Sequence, residues 1–395
     1  MVTGDGAFIK KINRSIILEK IMEHEQISRA DLSKITGLNK ATISVQVADL
    51  LEEELICETT PEHHTVGRRP IMLSINSNAA YVLGIDLDYQ KIDFTLANLQ
   101  GHPVLTHTEK FQTTNYEDIV SYLIKQIKKF QKQCDDTRFG MAGVVIGVHG
   151  TVNKDERIHF IPTYKWYDKD LRRDLQAKLN LDIRIENNAN LSSFAENVYQ
   201  YHTSKNLFNI ILTSGIGAGI INDGEIQSGY HGYAGEMGHM IVAVDGRPCS
   251  CGNKGCWEQY ASETSLIQHL STVLDRSDLS RDDVLTLLAE EDTTTIEEVE
   301  KWIVYIAIGL NNVINLYNPE TVVINSEILS SYHHSVNKLE SHLHSSVSQY
   351  CKIVLSNLGD TACVMGACAL GIQRLLDGPK VIFSVSEIEN DTPAS

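Results

Sequence analysis

No stretch of about eighteen consecutive apolar residues occurs in the 395 positions, so nothing in the sequence has the length to cross a membrane as a helix. A signal peptide is not expected either, because Ala7 and Phe8 are followed by the polar, basic Lys10-Lys11-Ile12-Asn13-Arg14. A cytoplasmic protein with no membrane partner is the expectation. Positive charge is scarce: 34 Lys and Arg face 51 Asp and Glu, and a net charge of −17 argues against a general nucleic-acid coat protein. A disulfide framework is missing too. Cys249, Cys251 and Cys256 crowd together, whereas Cys57, Cys134, Cys351, Cys363 and Cys368 are scattered, which suits a reducing compartment with one local metal cluster. What remains is an ordinary globular composition on a chain long enough for two or three domains.

The charge is unevenly placed. The first 78 residues hold nine Lys/Arg against eleven Asp/Glu, so this segment is nearly neutral on an acidic chain. Ile16, Ile17, Leu18, Ile21 and Met22 give residues 13–23 a helical face, with Asn13 as the expected N-cap. Ser28-Arg29-Ala30-Asp31 reads as a capping box opening a short helix through Ile35. Thr36-Gly37-Leu38 breaks it, and Asn39 caps a third helix from Lys40 to about Glu53, with Ile43, Val47, Leu50 and Leu51 on its buried side. Two short helices joined by a turn containing Gly form the helix-turn-helix pattern.

The residues expected to face DNA are Asn39, Lys40, Thr42, Ser44 and Gln46, with Arg29 on the preceding helix. Small or polar groups of this kind meet base edges and phosphates in a major groove. Strand-like residues 55–58 and 71–75 flank Gly67-Arg68-Arg69-Pro70, a hairpin with a basic tip, so Arg68 and Arg69 are the expected wing contacts. The competing reading is a small three-helix interaction module with a solvated basic loop.

Beyond residue 78 strands and helices alternate, the pattern of an α/β fold. A strand with a polar loop and a hairpin occurs twice, near Gly84-Ile85-Asp86-Leu87-Asp88 and again near Ser214-Gly215-Ile216-Gly217-Ala218-Gly219, which points to a duplicated, two-lobed architecture. His239 precedes Cys249, Cys251 and Cys256, a set matching a structural Cys3His zinc site, with free buried cysteines as the alternative. Glu186-Asn187-Asn188-Ala189-Asn190 falls where a strand ends and a helix begins. Its carboxamides suit sugar hydroxyls, and equally suit simple helix capping. Glu236, His239 and Glu258 approach one another if the metal loop folds back, leaving one imidazole nitrogen for a ligand.

Taken together these residues resemble the ROK family of bacterial sugar kinases and repressors, over roughly residues 11–376. The resemblance is carried by Gly235-Glu236-Met237-Gly238-His239, by Cys249-Ser250-Cys251-Gly252-Asn253-Lys254-Gly255-Cys256-Trp257-Glu258, and by Gly366-Ala367. It implies an actin-like, two-lobed ATPase-type fold with sugar bound in the cleft. Residues 1–78 would form the winged helix-turn-helix, 79–185 the small lobe and 186–380 the large lobe with the zinc loop. The last helix would return to the small lobe, and residues 381–395 would form a disordered tail. Sugar contacts would come from Asn187, Asn188, Glu236, His239 and Glu258, with Gly147-Val148-His149-Gly150 beside the sugar. A structural Zn2+ would be held by His239, Cys249, Cys251 and Cys256. The reader's Gly-Leu-Asn-Lys turn and Gly-Arg-Arg-Pro wing are most similar to those of xylose-responsive repressors from low-GC Gram-positive bacteria, which implies D-xylose as inducer and a homodimer on a two-fold symmetric operator.

The departures from the family's kinases matter as much. Asn188 stands where they carry an aspartate that takes the proton from the sugar hydroxyl, and a carboxamide cannot act as that base. Asp88-Tyr89-Gln90-Lys91 replaces a glycine-rich phosphate loop, and Asn325-Ser326 replaces a Gly-Gly pair near the adenine side. A repressor without catalysis is therefore expected. The alternatives are an active sugar kinase with a DNA-binding arm, and a repressor that senses another sugar or a protein partner.

Overall fold

The computed structural model describes residues 6–59, 70–88, 91–111, 113–134, 136–378 and 380–383. They divide into two compact units. The first holds residues 1–187, 198–202 and everything from 364 onward; the second holds 188–197 and 203–363. The described part of the reader, residues 6–59 and 70–78, falls within the first of these units. The chain crosses between units at Asn187 and Asn188, between the two carboxamides expected to act together.

The reader begins with the helix Gly6–His24, which buries Ile17, Leu18, Ile21 and Met22. Asn13 is not its cap but lies two turns inside it, because the helical pattern continues toward the N-terminus past the apolar stripe. Ser28 accepts from the Asp31 amide at the start of Arg29–Thr36, and Gly37 ends that helix at φ 71, a left-handed cap that suits glycine. Asn39 likewise caps Lys40–Glu52, accepting from the Thr42 amide at 2.8 Å. Ile56–Thr59 and Ile27–Ser28 flank Met72–Ile75 in a small antiparallel sheet. The wing tip, with Arg68 and Arg69, lies outside the described residues.

Glu54 ties the reader to the rest of its unit. Its carboxylate accepts from Arg138 and its carbonyl from the Asn76 side chain at 2.8 Å, while Arg14 forks onto Glu53.

The first unit's main sheet runs Asp182–Asn187, Met141–Val148, Tyr81–Leu87, Lys91–Asn98, Pro103–Lys110. The first three strands are parallel and the rest antiparallel. Met-Ala-Gly-Val-Val-Ile-Gly-Val at its centre is almost continuously apolar, as a strand buried on both faces must be. One face packs under Tyr116–Lys132, and the helix Ala362–Leu375 returns to the other. There Gly371 admits Val82, since an added Cβ would meet its side chain at 2.4 Å. Val381 and Phe383 are buried, and Phe383 packs on Tyr199, so these residues are not part of a disordered tail. Their two apolar side chains outweigh the polar composition around them.

The second unit repeats the plan. Its sheet runs Glu225–Ile226, Gly217–Asn222, Asn206–Ile211, Thr321–Asn325, Lys352–Leu355, giving the same order of strands by chain position and the same mix of parallel and antiparallel pairing. The long helix Thr293–Tyr317 covers one face, packing Trp302, Ile303, Ile306 and Leu310 around the fully buried Trp257.

Candidate functional site

Two clusters lie at the loop ends of these sheets, one in each unit. In the first unit, Asp86 closes its strand with its side chain buried, and parallel register places it beside Gly147, two residues before His149. His149 Nε2 lies 2.9 Å from Asp86 Oδ1 and Nδ1 lies 3.3 Å from Asp88 Oδ1. Burial alone would lower the imidazole pKa and Lys91 pulls the same way, but the Asp86 charge and hydrogen bond, helped by Asp88, lift it to about 9. His149 is therefore an imidazolium at neutral pH, donating from both nitrogens. The Tyr164 hydroxyl donates to the Asp88 carbonyl at 2.7 Å and fixes that loop from below. Asn187 joins this group, its amide donating to the Gly150 carbonyl at 2.9 Å. Tyr89 and Gln90 lie outside the described residues.

In the second unit the start of the strand Gly217–Asn222 is the anchor. Gly217 lies against Ala189 on the helix opened by Asn188, with an added Cβ meeting the alanine Cβ at 3.2 Å. On its other side the Gly-Glu-Met-Gly-His turn comes in so close that a Cβ on Gly235, at φ +101, would sit 2.1 Å from the Ala218 carbonyl oxygen. Gly215 is packed by Glu258, whose Oε2 would be 3.0 Å from an added Cβ. Asn188, Glu236, His239 and Glu258 are thus gathered round one strand end. His239 turns Nδ1 toward Glu258 Oε1 at 3.6 Å and Nε2 toward Glu236 Oε2 at 3.8 Å. Burial raises the Glu236 pKa, against the pull of His239.

The same imidazole belongs to a donor set. One ligand atom from each of His239, Cys249, Cys251 and Cys256 lies within 4.8 Å of all the others. Cys249 Sγ is 3.6 Å from His239 Nδ1, and Cys251 Sγ is 3.6 Å from Cys256 Sγ. Burial pushes the Cys249 thiol up to about 12, with Glu258 adding to it. Burial also raises Cys256, whereas the Asn253 amide and the neighbouring thiols hold Cys251 below its ordinary value despite burial. Burial keeps two of these thiols neutral while the cluster is bare, whereas a divalent cation would favour the thiolates. Three sulfurs and one imidazole nitrogen fit a tetrahedral metal site.

On the reader, Lys40, Ala41, Ser44, Val45 and Ala48 face outward and Thr42 is half-buried. Gln46 is a correction: it is only 5% exposed, because its position falls on the same side as Ile43, Val47 and Leu50. Asn39 spends its side-chain oxygen on the cap, and Arg29 pairs with Glu58 at 2.6 Å.

Two features escaped sequence reasoning. One is the bidentate setting of His149. The other is Glu263, buried beneath the Asn325-Ser326 turn and accepting from the Ser326 hydroxyl at 2.6 Å and the Ile328 amide at 3.2 Å. Asn325 itself donates to the Gly359 carbonyl at 2.8 Å. No helix among the described residues is long and apolar enough to cross a membrane.

Comparison with known proteins places these features in company. The sequence pattern of the ROK family matches residues 82–374. The xylose repressor of Bacillus subtilis (strain 168) is 36% identical over 384 residues, covering 95% of this chain and 99% of that protein. The crystal structure of a ROK family transcriptional regulator, a homologue of the E. coli MLC protein, superposes with a TM-score of 0.81 at 25% identity, covering 94% of this chain and 98% of that one. A ROK family glucokinase from Streptomyces griseus, solved with glucose and AMPPNP, covers 73% of this chain and 98% of its own at 22% identity and a TM-score of 0.64, a likeness of fold.

Proposed function

The chain belongs to the ROK family, and from that premise we propose that it is a sugar-responsive transcriptional repressor, released from its operator by D-xylose. The observation that carries the reading is the match to a xylose repressor across 95% of the chain, so that reader and sensor are matched together and not the sensor alone.

The sugar is held in the second unit by Asn188, Glu236, His239 and Glu258. A pentose presents hydroxyls that both donate and accept. Glu236 and Glu258 accept from them, the Asn188 carboxamide does both, and His239 offers Nε2. His239, Cys249, Cys251 and Cys256 would hold a Zn2+, which would cross-link this loop and fix the tautomer of the imidazole. Phosphoryl transfer is not part of the function. Asn188 cannot take a proton, and the loop that would receive phosphate carries Asp88 beside the buried Asp86, two carboxylates that repel it. A kinase with a DNA-binding arm is the poorer reading for that reason.

On DNA, a two-fold symmetric operator requires a homodimer, since one reader covers one half-site. Lys40, Thr42 and Ser44 lie on or beside the outward face of their helix, and Arg68 and Arg69 extend the contact from the wing. Sugar and operator then oppose one another, and the coupling is reciprocal: a tenfold loss of operator affinity on sugar binding, about 1.4 kcal/mol, implies a tenfold loss of sugar affinity on the operator.

The test is operator affinity with and without saturating xylose, for the wild type and Glu236→Ala. Xylose should weaken the wild type at least tenfold, while Glu236→Ala binds operator normally and ignores the sugar. Wild-type affinity that no pentose or hexose changes would sink the inducer mechanism.

A further inference from the structure

The helix Lys40–Glu52 has a face that its buried side does not explain. Ile43, Gln46, Val47 and Leu50 point inward, leaving Lys40, Ala41, Ser44, Val45 and Ala48 exposed. Three of those five are apolar, and Val45 leaves 56% of its surface in water. Positions 41, 45 and 48 follow the one-face spacing of a helix, so they form one stripe. A solvated helix face normally carries charge, and a β-branched residue forms helix less readily than Lys or Glu would there. Local propensity therefore does not account for Val45.

The setting says what the stripe meets. On a chain of net charge −17, residues 39–48 contain no acidic residue. Lys40 at the start of the helix and Lys34 on the preceding one are exposed and make no ion pair among the described residues. A cation-flanked, acid-free surface with a small apolar centre complements an anionic polymer that displays an apolar group between its charged edges.

We propose that Ala41, Val45 and Ala48 form a thymine-reading stripe, in which Val45 packs on the C5-methyl group of a thymine in the major groove. This rests on the reading of the chain as an operator-binding repressor. The methyl is the apolar group that base pairs show in that groove, and apolar side chains are its usual partners. From residue 41 to residue 48 the helix advances about 10 Å, or about three base-pair steps. Ala41 and Ala48 keep the backbone close to the bases on either side, and Ser44 adds a hydrogen bond beside them. A G·C pair opposite Val45 would lose water from its polar edge and gain no partner, which makes the same side chain a discriminator against it.

The experiment uses the full-length chain and a random-sequence duplex pool. The best-enriched duplex is resynthesised with deoxyuridine in place of thymidine, one position at a time, which removes the methyl and nothing else. Wild-type affinity should fall about three- to fivefold at one or more thymines of each half-site, the worth of one buried carbon. Val45→Ala should fold normally and become indifferent to the exchange at one of those positions while keeping the others. Val45→Thr, which retains a methyl branch, should preserve the sensitivity. Two results overturn the inference while leaving the repressor reading intact: an enriched duplex that tolerates deoxyuridine everywhere, or a Val45→Ala protein as sensitive as the wild type. A pool that yields no enriched sequence overturns the operator reading and the stripe together.

Discussion

The two sheets share one strand order, yet their loop ends carry different chemistry. In the first unit each nitrogen of His149 is committed to a carboxylate, at 2.9 and 3.3 Å, and Asn187 is committed to a backbone carbonyl. One imidazolium there holds two carboxylates, so the cluster is internally paired and still net negative. In the second unit His239 keeps Nε2 3.8 Å from Glu236, longer than a hydrogen bond, with Glu258 close on the other side. Glu258 there also accepts from Cys249 Sγ at 3.0 Å, so this loop end is tied to the thiol cluster rather than to an internal ion pair. A fold that serves kinases on both sides can thus close one side with its own ions and leave the other receptive. A change of role on one fold needs no change of architecture, only of a few side chains at strand ends.

The largest expected effect is an absence. Incubation with ATP and either xylose or glucose should give no phosphosugar, against the roughly 1 per second or more of an ordinary enzyme. Asn188→Asp supplies the base but leaves Asp86, Asp88 and His149 in place, so it should not rescue turnover. Rescue by that single change would break the comparison, because it would show the nucleotide side to be open after all.

Next comes the metal. Protein purified without chelator should contain one zinc per chain by elemental analysis. Cys251→Ser should lower that content and weaken sugar binding by roughly 10- to 100-fold, since a metal held by this set would fix His239 at the proposed sugar site. Full sugar affinity in metal-free protein, measured calorimetrically, would uncouple the cluster from sensing.

How far the sequence carried these sites depended on the range of the contacts. The thiol cluster and the Gly-Glu-Met-Gly-His turn are legible because their ligands lie within one loop, and the caps at Ser28 and Asn39 because capping is a local hydrogen bond. Gln46 was misplaced for a different reason. Polar character suggested exposure, but the phase set by Ile43, Val47 and Leu50 decides which way it points, and that phase was already in the sequence. The same phase turns the apolar Val45 outward. The pairing of His149 with Asp86 spans 63 residues and depends on the parallel register of two strands, which no local pattern contains. Val381 and Phe383 were hidden in an acidic stretch judged by its average rather than by the two apolar side chains that pack.

The smallest expected effect sharpens the comparison through pH. His149 has a folded-state pKa of about 9, above the ordinary 6.5, because Asp86 and Asp88 favour the imidazolium more than burial opposes it. A pKa raised by folding gives stability that is complete below about pH 6.5 and is lost as pH climbs through about 9. The contribution should be about 3 kcal/mol, since a rise of about 2.5 pKa units at about 1.4 kcal/mol each gives that order of magnitude. Melting followed by calorimetry from pH 6.5 to 9.5 should therefore show the wild type losing stability across that interval. His149→Gln should start lower at pH 6.5 and change less with pH, so the two proteins converge near pH 9.5. Parallel loss of stability in wild type and variant would show that no buried ion pair holds the first unit's loop end. That result would remove the physical basis for calling that side closed.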